Sequence, residues 1–235
     1  MTALAALAAL AALTALCPPP ESVPPAPDWN QVERELGMRL PQDYKELVAT
    51  YGPGQFCGFI SLHQPYGAGE WTDLTGPLPA RLREQIEQVR HSTRTPWPLP
   101  HDPQHLFAMG TTANGDYLFW VTQPDTTPDA WAVAVNEALR APWFTYPGTL
   151  TDFLLAILTG TTQVPIFPTD LLTTGTAFIP AAVRDTPAPQ HPPRGPANTN
   201  TNTIRTWARA NGHDLPHRGR IPLDILHAWE AANPT

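Results

Sequence analysis

The segment that decides the fold class is residues 106–122, LFAMGTTANGDYLFWVT. Two apolar runs, 106–109 and 117–122, flank the pair Asn114-Gly115. Asn-Gly between apolar runs is the strongest short signal of a β-hairpin, because both central positions of its two-residue turn need a positive φ. The segment therefore predicts two antiparallel strands joined by a tight turn.

Further strands and a short helix are predicted on either side of this hairpin. Residues 56–62 and 131–135 are apolar runs that predict strands. Leu82, Ile86 and Val89 lie at helical spacing between the first of these runs and the hairpin, and they predict a short helix.

Three longer helices are predicted over residues 28–37, 41–52 and 149–160. Asp28 and Thr149 are placed as N-caps, Pro41 takes a first helical position, and each range ends in glycine. Asp152 is the capping-box partner of Thr149. The apolar faces consist of Trp29, Val32 and Leu36; of Tyr44, Leu47, Val48 and Tyr51; and of Leu150, Phe153, Leu154, Ile157 and Leu158. N-terminal helices, a central meander of strands and a closing helix predict an α+β domain.

Residues 1–17, MTALAALAALAALTALC, have the composition of an export signal but not its features. No Lys or Arg precedes the apolar run, no small-x-small cleavage site follows it, and Leu16 precedes Cys17 where a lipoprotein signal has Gly or Ala. Leucine at every third position from Leu4 is interpreted as one stripe of an Ala-rich helix, shorter than the roughly 20 residues of a membrane span. Two isolated cysteines make neither a disulfide framework nor a metal motif, so we expect a cytoplasmic protein with no membrane partner.

Proline and charge divide the chain into a domain over residues 1–179, a stiff proline-rich linker over 180–197 and a C-terminal module over 198–235. The formal net charge of −7 argues against nucleic-acid binding by the chain as a whole. Residues 1–197 carry 10 Lys and Arg against 18 Asp and Glu, whereas residues 198–235 carry four Arg against three acidic residues. The net charges are −8 and +1, so the last segment is locally basic.

The C-terminal module is predicted to form two short helices. Thr201 or Asn202 caps the first, Asn211-Gly212 ends it, and Pro222 opens the second. The facing apolar stripes are Ile204, Trp207 and Ala208, and then Ile225, Ala228 and Trp229.

The loop between these helices contains Arg218-Gly219-Arg220. An A·T-rich minor groove is narrow and strongly negative, and an extended Arg-Gly-Arg is able to lie in it because Gly219 lets the backbone approach the floor. Arg205 and Arg209, four residues apart on the first helix, are placed to reach phosphates. The blander interpretation of the same residues is a solvated charged loop.

This module resembles the DNA-binding domain of the Lsr-type nucleoid-associated silencers of actinobacteria. The resemblance implies that Arg218, Gly219 and Arg220 enter the minor groove of A·T-rich double-stranded DNA, with Arg205 on phosphate. Pro216 departs from the family, which usually has Ser or Thr there, and the resemblance implies that this change removes a hydroxyl contact to phosphate and lowers the affinity for DNA. The matching pattern is Ile204-Arg205-x-Trp207-Ala208-Arg209-x-Asn211-Gly212-His213, Arg218-Gly219-Arg220-Ile221-Pro222-x-Asp224-Ile225, Ala228 and Ala231.

The first 175 residues contain the patterns Trp29-x-x-Val32-Glu33-x-x-Leu36-Gly37, Leu40-Pro41-x-Asp43-Tyr44-Lys45-x-Leu47, Tyr51-Gly52, Asn114-Gly115-Asp116-x-Leu118-x-Trp120, Trp131-x-Val133, and Phe153-Leu154-x-x-Ile157 through Gly160. These patterns resemble the SUKH superfamily, which implies an α+β domain that binds other proteins. Many bacterial members are immunity proteins against nuclease or other toxins, so a cytoplasmic immunity protein with an incidental tail is the alternative to a nucleoid-associated regulator. The acidic balance of this part suits a basic partner such as a toxin.

No pattern in the chain predicts an enzyme, a metal site or a cofactor. Asp116 is interpreted as a turn residue rather than a catalytic carboxylate. The chain has no phosphate-cradling glycine loop and no nucleophile elbow. The histidines at 63, 91, 101 and 105 lack ligand spacing, and the tryptophans at 71, 97, 120, 131 and 143 are interpreted as core or partner-facing residues.

Overall fold

The computed structural model describes residues 3–69, 72–91, 99–124, 127–173 and 175–181, and also residues 207, 208, 210–212, 228, 229 and 232. The chain divides into two compact units, residues 1–183 and 184–235. Within the described ranges, no helix combines the length and the apolar character that a membrane crossing requires.

The N-terminal unit has the predicted α+β composition. Its helices are α1 Ala3–Leu16, α2 Trp29–Leu36, α3 Gln42–Tyr51, α4 Leu78–Arg90 and α5 Leu150–Leu158. Its strands are β1 Gly54–Phe56, β2 Ile60–Leu62, β3 Leu106–Thr112, β4 Tyr117–Val121, β5 Ala132–Asn136, β6 Trp143–Tyr146 and β7 Phe178–Pro180. Single 3₁₀ turns lie at Pro103–His105 and Pro128–Ala130.

The strands form one antiparallel sheet in the order β6-β5-β4-β3-β2-β1-β7. The first six strands follow one another as the predicted meander, and β7 returns to pair with β1. Gly54 permits this pairing, because a Cβ atom at that position would lie 2.4 Å from the Phe178 ring. The sheet therefore extends to Pro180, the first residue of the predicted linker.

Both faces of the sheet are covered, which explains why its central strands are apolar at nearly every position. Alternate residues of a strand point to opposite faces. One face packs in a core with residues of α1, α2, α3 and α5, through strand residues that include Met109 and Trp120. The other packs against Leu78, Leu82 and Ile86 of α4, through neighbours such as Ala108 and Phe119.

The predicted helix caps are confirmed, with one shift. Asp28 Oδ1 accepts a hydrogen bond of 3.0 Å from the Asn30 N–H, and Gly37 ends α2 at a φ of +67°. The Thr149 hydroxyl donates to Asp152 Oδ2 over 3.0 Å at the start of α5. Pro41, predicted at the first helical position of α3, is instead its N-cap with a ψ of 139°.

The predicted single strand over residues 56–62 is wrong, because the chain reverses inside it. Cys57 and Gly58 have φ values of 52° and 62°, and the Phe59 N–H donates to the Phe56 carbonyl over 2.9 Å. Residues 54–62 therefore form the hairpin of β1 and β2. The β3–β4 hairpin is confirmed, but of its Asn-Gly pair only Gly115 has a positive φ, at 86°. The loop runs from Ala113 to Asp116 and is longer than the predicted two-residue turn.

The leucines of α1 do not form the predicted single stripe. A three-residue step falls about 60° short of a full turn, so leucines at that spacing wind around the helix. Leu13 is fully buried, whereas Leu7 is 59% exposed. The end of α1 is held by the Tyr51 hydroxyl, which donates to the Cys17 carbonyl over 2.7 Å. Cys17 and Cys57 are free thiols.

Candidate functional site

The residues predicted to contact DNA are Thr201, Arg205, Arg209, Arg218, Gly219 and Arg220, and all of them lie outside the described residues. The helix-capping and loop residues Asn202, Pro216, Pro222 and Asp224 also lie outside them. The described residues of the C-terminal unit belong to the two predicted helices instead.

The end of the first predicted helix is described from Trp207 to Gly212, apart from Arg209. Ala208 is fully buried and Trp207 is half-buried, as the predicted apolar stripe requires. The Asn211 N–H donates to the Trp207 carbonyl over 3.0 Å, and the Asn211 side-chain amide donates to the same oxygen over 2.8 Å. Gly212 has a φ of +81°, a left-handed conformation that commonly ends a helix. The predicted stop at Asn211-Gly212 is confirmed.

The second predicted helix is described at three positions. Ala228, Trp229 and Ala232 are helical. Ala228 and Trp229 are half-buried, in keeping with their predicted place on the inner stripe, and Ala232 is exposed. The described part of this unit thus has helical residues before and after the segment that contains Arg218-Gly219-Arg220.

The N-terminal unit has an open cleft of about 1310 Å³ where β3 begins and β4 ends. Its walls come from both layers of helices, because the end of α2 and the residues after it reach the cleft from one face of the sheet and Arg83 of α4 from the other. Apolar side chains contribute to the same lining, among them Leu36, Met38 and Phe107. We call this opening the basic cleft.

Positive side chains dominate the basic cleft. Arg34, Arg39 and Arg83 line it together with His105, and Glu33 is the one carboxylate among its described lining residues. Within the part of the chain that the structure describes, no carboxylate forms an ion pair with any of these three arginines. Arg34 Nε donates instead to the Asn30 carbonyl over 3.1 Å.

Glu33 already accepts hydrogen bonds from other residues of the unit. Glu33 Oε1 accepts hydrogen bonds from Lys45 Nζ over 2.5 Å and from the Leu40 N–H over 2.8 Å. Partial burial acts to raise the pKa of Glu33, but these hydrogen bonds and the charges of Lys45 and Arg39 outweigh it and lower that pKa below its ordinary value. The carboxylate therefore stays charged, and Lys45 holds it at the edge of α3.

Arg83 and His105 complete the polar lining on the α4 side. Arg83 Nε is buried with no acceptor among the described residues, an uncommon state for a charged donor. His105 Nε2 lies 2.9 Å from the amide nitrogen of Gln123, and the His105 carbonyl accepts from the Thr122 N–H over 2.8 Å. The two chain segments at this end of the sheet are thus held together directly.

Asp116 has the geometry of a turn residue, as predicted. It is 2% exposed, and its Oδ2 accepts a hydrogen bond of 2.7 Å from the Thr112 hydroxyl. That hydroxyl also accepts from the Asp116 N–H over 3.1 Å, which closes the β3–β4 loop. Burial raises the pKa of Asp116. Among the residues that the structure describes, no three His, Cys, Asp or Glu side chains are grouped to hold a metal ion.

Two family models match the chain. The first is described as SMI1-KNR4 cell-wall and covers residues 27–154, more than half of the 235 residues. The chain belongs to the SMI1-KNR4 family. The second is the Lsr2 DNA-binding domain, which matches residues 196–232 and indicates DNA as a partner. No solved structure matches the chain.

Both matches agree with the resemblances noted in the sequence. The SMI1-KNR4 match runs from just before α2 into α5 and contains every residue of the basic cleft, whereas α1 and β7 lie outside it. The Lsr2 match contains all the residues predicted to contact DNA. The basic cleft itself was not predicted, because Arg34 and Arg39 give only a weak local signal and the fold brings Arg83 to them from another helix.

Proposed function

We propose that this SMI1-KNR4 protein is a non-enzymatic DNA-binding protein that reads the minor groove of A·T-rich DNA and carries a protein-binding domain to it. The observation that carries the proposal is the match of residues 196–232 to the Lsr2 DNA-binding domain, with Arg218-Gly219-Arg220 inside that match. The helix stop at Gly212 and the helical residues around Trp229 support it, because they flank this segment as the two-helix module requires.

The proposed reading mechanism depends on the shape of the minor groove. Gly219 has no side chain, so the backbone approaches the groove floor, and Arg218 and Arg220 extend along the groove in opposite directions. Their guanidinium groups donate to adenine N3 and thymine O2, which are acceptors in every A·T pair. The guanine 2-amino group projects from the floor of a G·C-rich groove and obstructs this arrangement.

Contacts to the sugar-phosphate backbone hold the module in place without reading sequence. Arg205 and Arg209, one helical turn apart, pair with phosphates, and Thr201 contributes a hydroxyl at the start of the same helix. A single short module binds weakly, with a dissociation constant on the order of 10⁻⁶ M at moderate salt and a steep salt dependence. On this proposal the protein is associated with the nucleoid.

Gel-shift titration of the full chain with A·T-rich and G·C-rich duplexes of equal length tests this proposal. The proposal expects tighter binding to the A·T-rich duplex and weaker binding to both as salt rises. Equal affinities for the two duplexes would remove the groove-reading mechanism, and absence of binding to either in dilute buffer would remove DNA binding itself.

A further inference from the structure

The basic cleft carries a charge opposite to that of the unit around it. Residues 1–197 have a net charge of −8, yet three arginines converge on this one opening. The single carboxylate in the lining, Glu33, is held by Lys45 and the Leu40 N–H. Arg39 lies close enough to lower the pKa of Glu33, but among the described residues no carboxylate forms an ion pair with any arginine of the cleft.

The size and chemistry of the cleft fit a peptide segment. Pockets for small molecules have volumes of roughly 300–1,000 Å³, and this open cleft of about 1310 Å³ is larger. Leu36, Met38 and Phe107 lie in the same lining as the arginines. An occupant that covers this surface needs apolar groups as well as negative charges, and a protein segment provides both.

A DNA duplex fits the cleft less well than a peptide does. Its phosphates lie on a convex surface without apolar groups beside them, so the apolar lining would stay in water. A short acidic segment is attracted instead by contacts within the cleft, because salt screens charges beyond about 8 Å at physiological ionic strength.

We propose that the basic cleft binds an extended acidic segment of a partner protein. Carboxylates of this segment pair with Arg34, Arg39 and Arg83, and its apolar side chains cover the apolar lining. Arginine is suited to this role because its guanidinium group donates two parallel hydrogen bonds to one carboxylate. The inference rests on the proposed protein-binding role. The net negative charge of the domain suggests a basic partner, whereas the cleft predicts an acidic segment.

Peptide selection on the full chain tests this inference, because a random library contains acidic, basic and uncharged ligands alike. The probe is a displayed library of random twelve-residue peptides, selected in parallel on the wild type, R34Q/R39Q, R83Q and R140Q. Arg140 is exposed and lies outside the cleft, so R140Q makes the same charge change as R83Q elsewhere on the unit. Arg34 and Arg39 are exposed, so their replacement is compatible with folding, which thermal unfolding of each variant verifies.

The expected result is enrichment of peptides rich in Asp and Glu with one or more apolar residues. We expect R34Q/R39Q and R83Q to bind a synthetic peptide of the enriched sequence at least tenfold more weakly, and R140Q to bind it like the wild type. Enrichment of basic or uncharged peptides, absence of enrichment, or equal loss of binding in R140Q would overturn the inference.

A parallel titration with an A·T-rich duplex separates this inference from the proposed DNA binding. We expect R83Q and R140Q to lose the same small amount of DNA affinity, if any, and R34Q/R39Q to lose only what its second charge change adds. A selective loss of DNA affinity in R34Q/R39Q and R83Q would overturn the inference by making the cleft a DNA contact. Wild-type DNA binding with no acidic peptide enriched would overturn the inference alone and leave DNA binding in place.

Discussion

Asp43 Oδ2 accepts a hydrogen bond of 2.9 Å from the backbone N–H of Thr151, 108 residues further along the chain. Its other oxygen, Oδ1, accepts from the Tyr44 N–H over 2.8 Å. One carboxylate therefore satisfies N–H groups in the first turns of both α3 and α5, which have no intrahelical partners. Asp43 is 5% exposed, and burial raises its pKa although these hydrogen bonds act to lower it.

Replacing Asp43 by asparagine is expected to destabilise the N-terminal unit. Asparagine has one side-chain oxygen, so it retains one hydrogen bond and places an N–H group against the other donor. We expect the free energy of unfolding, measured by urea denaturation, to fall by about 1–3 kcal/mol. Asp129→Asn is the matched control, because Asp129 accepts from the Gln42 N–H over 2.7 Å at an exposed site. Equal losses in the two variants would contradict the role of Asp43.

His63 predicts a pH dependence of stability. Its side chain is fully buried, and neither ring nitrogen has a hydrogen-bond partner among the described residues. Burial lowers the pKa of His63 from 6.5 to about 4, and this effect outweighs the nearby Ala108 backbone, whose contact with the ring falls short of a hydrogen bond, and the charge of Asp73, which both act to raise it. Between these values the unfolded chain binds a proton that the folded chain does not, so the free energy of unfolding falls as pH falls from about 6.5 toward 4. The contribution of neutral His63 to the free energy of unfolding is complete above pH 6.5, and about 3 kcal/mol is lost as the pH falls toward 4.

The variant His63→Leu isolates this contribution. We expect urea unfolding between pH 4.5 and 7.5 to show a smaller loss of stability at low pH for His63→Leu than for the wild type. Parallel pH profiles of the two proteins would show that His63 is not buried in its neutral form.

How far the sequence predicts this fold depends on how local each signal is. Helix ends are determined by one or two residues, so Asp28, Gly37 and Thr149 could be assigned without a structure. The reversal at Cys57 could not, because no local rule requires a positive φ of cysteine. Strand β7 has three residues and no periodicity of its own, and it exists because Phe178 packs 5.0 Å from the rings of Tyr51 and Phe56.

The two candidate sites also differ in how local their sequence signals are. Arg218, Gly219 and Arg220 are adjacent in the chain, so a DNA-contacting motif was predictable from sequence, and it remains a prediction in the structure. The basic cleft was not predictable, because it combines Arg34 of α2, Arg39 after that helix and Arg83 of α4, which the fold brings to one end of the sheet. A site whose residues are adjacent in one loop can be recognised in a sequence. A site whose residues come from separate elements can be recognised only once the fold is known.

The position of β7 predicts where the N-terminal unit can be cut. A chain that ends after Val183 retains Phe178–Pro180, whereas a chain that ends after Gly175 lacks this strand and the Phe178 ring. We expect thermal unfolding to show wild-type stability of this unit in the longer chain and a loss of about 3 kcal/mol or more in the shorter one. Equal stability of the two chains would show that β7 contributes nothing to the unit.

Substitutions in the C-terminal module are expected to separate groove reading from phosphate binding. Arg218→Ala or Arg220→Ala should cost about 1–3 kcal/mol of binding free energy on A·T-rich duplexes and abolish the A·T preference. Arg205→Ala should weaken binding to all duplexes alike and reduce the salt slope by about 1. Gel-shift titrations at several salt concentrations measure both effects. A uniform loss in Arg218→Ala would identify Arg218 as a phosphate contact instead.

The most direct test of the proposed minor-groove reading is the affinity of the full chain for one G·C-rich duplex before and after every guanine is replaced by inosine. Inosine lacks the 2-amino group, so an I·C pair keeps the major-groove pattern of G·C and presents the minor-groove acceptors of A·T. A protein that reads the minor groove through Arg218 and Arg220 should bind the inosine duplex about as tightly as an A·T-rich duplex. Binding to the inosine duplex that stays as weak as binding to the G·C duplex would contradict the account.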